Sequence, residues 1–421
     1  MLRKSELYSP QMKDETKRSE ATELITALVQ QTPTTTVLSS RRSSNDSTVI
    51  RNSQLSRPHK QKTAHGVHPV NDLLDTALKW DFEIFRLETL TQNRPLYHLG
   101  MTLMRQFEVC AALECDERTL LNWLDAVEKN YHAENTYHNS THAADVLQAV
   151  AYFIQKDRLK FLLDPLESAA SLIAAAAHDI DHPGRSSMFL CNSKHTLATL
   201  YNDISVLESH HAAFTFNLTL SNDRVNIFKG LDRESYKTLR HNIIDMILAT
   251  EMTKHFEHLA KFVNVFYAKT SGSKEDGMQC EEPLALDMNA LSLPENVILV
   301  KRMMIKCADV SNASRPQKFA VEWAKRIAEE YFLQTDQEKA NNLPVVMPIF
   351  DRSTCNIPRS QIGFIDYIII GMMETWAAFI DMPELVTHAR NNHDRWRELD
   401  EAGIITITEV LGAQRLAQLN E

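Results

Sequence analysis

From about residue 70 onward, apolar residues recur at helical spacing. Leu121, Trp123, Leu124, Val127 and Tyr131 form one such set. Val146, Leu147, Val150, Phe153 and Ile154 form another, and Ile243, Ile244, Ile247 and Leu248 a third. Positions three and four apart lie on one helix face, so each set reads as an amphipathic helix. Glycine is scarce, and no regular succession of alternating β-branched strands is seen. The pattern predicts an all-α fold of many helices. Residues 268–293 break it with a polar run, read as a surface loop and not a domain boundary. Residues 1–70 are rich in Ser, Thr, Gln, Lys and Arg, which favours a disordered regulatory tail. One apolar face within it, Ala21, Leu24, Ile25, Leu28 and Val29, is read as a short transient helix, with docking as the alternative. Residues 71–421 are read as one domain.

Three segments of that domain concentrate metal-binding side chains. Tyr137-His138-Asn139-Ser140-Thr141-His142 comes first, then His178-Asp179-Ile180-Asp181-His182-Pro183-Gly184, then Cys307-Ala308-Asp309-Val310-Ser311-Asn312. Imidazole and carboxylate together suit divalent metals around a water. Metal-assisted hydrolysis of a phosphate ester is the chemistry this set favours. On a helix, His138 and His142 would share one face. His178 and Asp179 are adjacent, and adjacent helical residues point about 100° apart. The pair can meet one metal only near a helix end or bend, and Pro183-Gly184 supplies a break soon after.

Composition narrows the reading. The 421 residues carry a formal net charge of −10, which disfavours nucleic acid as a partner. No apolar run of membrane-spanning length is seen, and the first residues lack a secretory apolar core. The six cysteines are scattered with no CxxC pair, as in reduced thiols of a cytoplasmic protein.

The segments YHNSTHAADV, HDIDHPG, LESHHAA and the CADVSN…SQIGFIDY pair resemble the catalytic domain of class I cyclic nucleotide phosphodiesterases, from about Trp80 to Trp396. WDFEIFRLE, NRPLYHLG, LATEMTKHFEH and LPVVMP are similar to the high-affinity, cAMP-specific type-eight subfamily. The resemblance implies a compact multi-helix catalytic domain with an HD-type two-metal site. It makes His142, His178, Asp179 and Asp309 ligands of a first metal, Zn²⁺, with Asp179 bridging to a second, Mg²⁺ or Mn²⁺. His182, Glu208, His211 and Thr250 would orient waters around them. Of His210 and His211, only the family pattern selects the second.

The implied activity is hydrolysis of 3′,5′-cyclic AMP to 5′-AMP, ending a cAMP signal. A hydroxide activated between two metals would attack phosphorus, and His138 would act as general acid. Glu330 would keep His138 charged, with neighbouring Glu329 the alternative, and Asp145 is read as structural. For the nucleotide, the resemblance implies Gln361 on the purine, Phe364 and Ile327 on its faces, Asn312 at the adenine edge, and Tyr137 nearby. An amide can pair with adenine or, flipped, with guanine, so Gln361 does not itself select the base. Where the family commonly has proline after Ser-Asn, this chain has Ala313, which predicts a looser loop around Asn312. Gly371-Met372-Met373 also departs from the pattern. Type-eight enzymes carry sensory domains upstream, which about 70 residues cannot hold. Ser44, after Arg41-Arg42-Ser43, resembles a substrate of cAMP-dependent kinase, a regulatory partner for the tail; an unmodified solvated tail is the alternative. Two other functions compete: a different HD-class metal hydrolase, and a catalytically dead relative that binds nucleotide or protein.

Overall fold

Helices form where the apolar spacing predicts them. In this computed structural model, which describes residues 69–266 and 291–420, no strand is present among the described residues. The helices that build the site and its supports are, in chain order, α1 (Pro95–Gln106), α2 (Glu117–Lys129), α3 (Ser140–Ile154), α4 (Pro165–Ala177), α5 (Val206–Leu220), α6 (Arg233–Ala249), α7 (Pro294–Asp309), α8 (Gln317–Ala340), α9 (Ile357–Phe364), α10 (Ile370–Ile380) and α11 (Glu384–Glu401). The apolar face around Leu24, Ser44 and nearly all of the 268–293 run lie outside the described residues.

The alanine-rich α4 sits at the centre. It begins at a capping box in which Asp164 accepts from the Glu167 amide and the Glu167 side chain answers the Asp164 amide, with Pro165 in the first turn. Ala169, Ala170 and Ala174 to Ala177 are fully buried, and α4 packs against α3 and α6. Small side chains at a contact let helix axes approach closely. The helix ends at Ala177, so His178 is its C-cap and Asp179 lies beyond it. The helix end demanded by the adjacent His-Asp pair is therefore present.

One local expectation fails. Asn139 caps α3, its side chain accepting from the amides of Thr141 and His142 at 2.9 and 3.3 Å. An asparagine N-cap holds its own backbone extended and begins the helix after itself. His138 therefore precedes the helix while His142 lies in its first turn, and the two do not share a helical face.

Helix α7 delivers Asp309 as its last residue. Buried Lys306, one turn earlier, donates to the carbonyls of Ala249 and Glu251 at 3.1 and 3.2 Å. The ammonium thus binds backbone carbonyls where α6 ends and ties that end to α7. Helices α9 and α10 are continuous through a π turn at Ile365–Ile369. Together they span Ile357–Ile380, 24 residues whose most apolar 18-residue stretch has a mean hydropathy of 1.4, long and apolar enough to cross a membrane. The expectation of no such run is corrected: Arg359, Asp366 and Glu374 interrupt the stretch, so it does not read as unbroken. Here Ile365, Ile368, Ile369, Met372, Met373 and Trp376 are buried in the protein core, which also absorbs the unusual Met372-Met373 pair.

Candidate metal and nucleotide site

Three chain segments meet at the end of α4. His142 Nε2 lies 3.1 Å from Asp309 Oδ1 and 3.5 Å from Asp179 Oδ2. His178 Nε2 lies 3.1 Å from Asp179 Oδ2, 3.4 Å from Asp309 Oδ1 and 3.3 Å from His142 Nε2. His178 Nδ1 faces the Ala175 carbonyl at 2.9 Å, which fixes its proton there and leaves the Nε2 lone pair for a metal.

Charge in this cluster is strongly coupled. Burial lowers the His178 pKa, but the Asp179 and Asp309 carboxylates outweigh it and raise it well above the ordinary range. Burial likewise raises Asp309, yet hydrogen bonds from His142 and His178 hold it below the usual carboxylate range. The two carboxylates draw positive charge onto the buried imidazoles, a demand that a divalent cation would meet. The donor set of two nitrogens and two carboxylates fits such an ion.

A second layer surrounds it. His211 Nδ1 faces the Ile180 carbonyl at 2.7 Å, leaving Nε2 as an acceptor 3.6 Å from Asp179 Oδ1. That Nε2 and Glu208 Oε2 are buried without a hydrogen-bond partner among the described residues, as groups that bind metal-held waters would be. Burial, then the charges of Glu251 and Asp179, push Glu208 up to about 7. The buried Thr250 hydroxyl donates to Ile247 O at 2.8 Å, and the residue lines the same cleft. Asp179 therefore points one oxygen at the His142–His178 cluster and the other toward His211.

His138 stands beside this cluster. Its Nδ1 contacts Glu330 Oε1, and Glu330 Oε2 accepts from the Tyr137 and His138 amides at 3.0 and 3.1 Å. Burial pulls the imidazole down, but the charge and hydrogen bond of Glu330 outweigh it and hold His138 at about 9. Glu329 faces outward and pairs with Arg352 at 2.6 Å. The His138 ring stacks on His182 at 4.0 Å. His182 Nδ1 accepts from the Gly184 amide, and burial, then the neighbouring His138 cation, push its pKa well down.

Several supports were not legible beforehand. Asn135 donates to the carbonyls of His138 and His182 at 2.9 and 2.7 Å, joining the first two segments. Gly184 makes room: its φ is +65°, and a Cβ there would lie 2.4 Å from Asn135 Oδ1. Asp181, at φ 60°, is gripped by His132 at 2.7 Å and His210 at 2.8 Å, so His210 supports the loop while His211 faces the cluster. The only advance signals were the second acidic group of HDIDH and an asparagine three residues before His138.

An adjoining cavity is lined by Tyr137, Asn312, Ile327, Gln361 and Phe364, all five residues expected for the nucleotide. It meets the metal-side cleft at His138, Met252, Asp309 and Tyr331. The segment bearing Asn312 is not loose despite Ala313. Trp80 Nε1 donates to Ser314 O at 2.9 Å, and Asn392 donates to the carbonyls of Ala313 and Arg315 at 2.9 and 2.8 Å. Buried Arg315 pairs with Asp145 at 2.8 Å, which gives Asp145 its structural role. Distant side chains thus do the stiffening expected of proline.

A sequence profile described as 3′5′-cyclic nucleotide phosphodiesterase matches residues 137–391, a stretch that includes His138, the His142–His178–Asp179–Asp309 cluster, Glu330, Gln361 and Phe364. The chain belongs to this family. It is 54% identical over 424 residues to the high affinity cAMP-specific and IBMX-insensitive 3′,5′-cyclic phosphodiesterase 8 of Drosophila melanogaster, covering 98% of this chain and 44% of that protein. It is 56% identical over 322 residues to the 8A protein of Homo sapiens with the same description, covering 76% of this chain and 39% of that protein. The chain thus spans under half the length of these curated relatives. Among solved structures, the phosphodiesterase domain of the RhoPDE fusion protein from the choanoflagellate Salpingoeca rosetta matches with a TM-score of 0.68 at 27% identity, covering 79% of this chain and 98% of that one.

Proposed function

We infer that this phosphodiesterase hydrolyses 3′,5′-cyclic AMP to 5′-AMP. The observation that carries this is one junction. The His142–His178–Asp179–Asp309 cluster and the His138–Glu330 pair meet there, beside a cavity bearing Gln361 and Phe364. The names of the relatives above supply the cyclic AMP part. His142, His178, Asp179 and Asp309 would hold a first metal, Zn²⁺ by their chemistry. Asp179 would also reach a second, Mg²⁺ or Mn²⁺, whose waters His211, Glu208, His182 and Thr250 orient. Bound divalent ions supply Lewis acidity toward the phosphate and lower a water pKa to roughly 7.

The protein's own groups do the rest. Phe364 and Ile327 hold the base between them, and Gln361 and Asn312 meet its polar edge. Glu330 keeps His138 protonated at the boundary between cavity and cluster. As water oxygen bonds to phosphorus and the P–O3′ bond breaks, O3′ takes its proton from His138. The buried Glu330–His138–His182 arrangement fixes that donor in place. Purified protein supplied with Zn²⁺ and Mg²⁺ or Mn²⁺ should convert cAMP to 5′-AMP, followed by chromatography, with a higher kcat/KM than for cGMP. Absence of 5′-AMP at full metal loading refutes the hydrolase. Equal kcat/KM values refute the cAMP preference alone.

A further inference from the structure

Away from the metal and nucleotide groups, two of the cysteines meet. The short helix Val109–Ala112 ends in a paired backbone cap. The Cys115 amide donates to Cys110 O at 3.0 Å and the Glu114 amide to Ala111 O at 3.3 Å, with Glu114 in the left-handed region at φ 51°. This six-to-one and five-to-two pairing closes many helix ends, and a side-chain contact between its outer residues often accompanies it. Here those outer residues are Cys110 and Cys115, and the Cys115 thiol is hydrogen-bonded to the Cys110 sulfur. We propose that Cys110 and Cys115 form a dithiol site that hydroperoxides convert to a reversible disulfide within the chain.

The cap does the positioning. A backbone bond of this kind keeps two Cα atoms within the span of about 4.4–6.8 Å that a disulfide needs, so closure asks only for side-chain rotation. The cap is itself held in place. Val109 and Leu113 are fully buried, the helix packs on α4, and a Cβ on Gly230 would lie 2.2 Å from Glu114 O. Both thiols are partly exposed, whereas Cys307 and Cys355 are buried. Burial raises both, Cys115 to about 12, while the hydrogen bond from Cys115 draws Cys110 back down. Cys110 is therefore the thiolate that attacks. Its sulfur bonds to one peroxide oxygen, the O–O bond breaks, and the departing oxygen leaves as water or an alcohol. The Cys115 sulfur then bonds to the Cys110 sulfenic sulfur, and its proton goes to the hydroxide that leaves as a second water. The two sulfurs lose two electrons and the peroxide gains them. A small dithiol reverses the link by exchange.

The test treats the reduced full chain with hydrogen peroxide, blocks remaining thiols with N-ethylmaleimide and digests with trypsin. Cleavage after Arg105 and Arg118 releases both cysteines on one peptide, residues 106–118. The expected peptide carries no maleimide, is about 2 Da lighter than its reduced form, and takes two labels after dithiothreitol. In Cys115→Ser, with no thiol left to close the link, dimedone should capture a sulfenic acid on Cys110. A second measurement asks whether the fold presents the pair. An open chain must close a loop of about six residues, which weakens its link by about tenfold, and the cap has closed that loop already. In dithiothreitol redox buffers the native link should therefore survive an about tenfold more reducing ratio than the link in urea. Glu114→Val, β-branched at positive φ, should lose that advantage while keeping both cysteines, and Glu114→Gly should retain it. Four results overturn the proposal: no oxidation of residues 106–118, sulfinic acid there without a link, a link from either cysteine to a different one, or equal link stability in native and urea-treated protein.

Discussion

Replacing Glu330 by glutamine isolates the proton held by His138. The carboxylate makes three contacts at once: with His138 Nδ1 and with the amides of Tyr137 and His138. Glutamine keeps the shape but loses the charge, and its single carbonyl oxygen cannot serve both sides of that arrangement. One N–H is left facing another, at a cost of about 1–3 kcal/mol. The proton is affected more. Burial alone lowers the His138 pKa, and the charge of Glu330 is the largest opposing influence in lifting it to about 9. Without that charge it should fall to the ordinary imidazole value of about 6.5 or below. At pH 7.4 the protonated share then drops from nearly all to about one tenth, so kcat should fall roughly tenfold at that pH. The alkaline limb of the pH–rate profile should move to lower pH. The folding consequence has a definite sign. Because the folded pKa is raised, its stabilisation is fully present below about 6.5 and is lost as pH rises through about 9. The stability gap between wild type and variant should narrow across that window. NMR titration of the His138 ring in metal-free protein measures the shift directly. An unmoved ring pKa in Glu330→Gln refutes this account of the pair.

Asp179→Ala and Asp309→Ala should each lose bound metal and turnover together, since each removes a carboxylate shared by two imidazoles; elemental analysis showing full metal with near-normal rates would contradict the assignment. His138→Ala should retain metal and lose about 10²–10⁴-fold in kcat, the usual range for a general acid; loss of zinc would instead make His138 a ligand. Gly184→Ala places a Cβ 2.4 Å from Asn135 Oδ1 at positive φ. It should cost about 1–3 kcal/mol in urea denaturation and reduce activity through the Asn135 bridge. A stability within about 0.5 kcal/mol of wild type would show that the bridge yields easily.

Local pattern carried much of this. The alternation of apolar faces showed the helices, and the stereochemistry of adjacent side chains required a helix end at His178-Asp179. What pattern could not show was direction. Glu329 and Glu330 are neighbours on one helix, and their opposite fates depend on which face of α8 meets His138. His210 and His211 diverge for the same reason, one gripping Asp181 and the other facing Asp179. A helix face shared by His138 and His142 would need Asn139 inside the helix, whereas its side chain caps the α3 start. Rigidity around Asn312 depends on Trp80 and Asn392, partners 234 and 79 residues distant along the chain from the carbonyls they bind. No local rule at Ala313 could anticipate them.

The π turn at Ile365–Ile369 has a consequence for how this helix tolerates changes in length. There the Ile370 amide bonds to Ile365 O, five residues back, so the turn absorbs one residue more than an α turn. Elsewhere on Ile357–Ile380, losing a residue would rotate everything beyond it by about 100° and swing Gln361 and Phe364 out of phase with Met373 and Trp376. Within the π turn, the same loss simply restores α geometry and leaves both flanks aligned. The segment is therefore a slack link between a cavity-lining half and a core-facing half. A single-residue deletion at Tyr367 should be survivable where one at Ile362 is not.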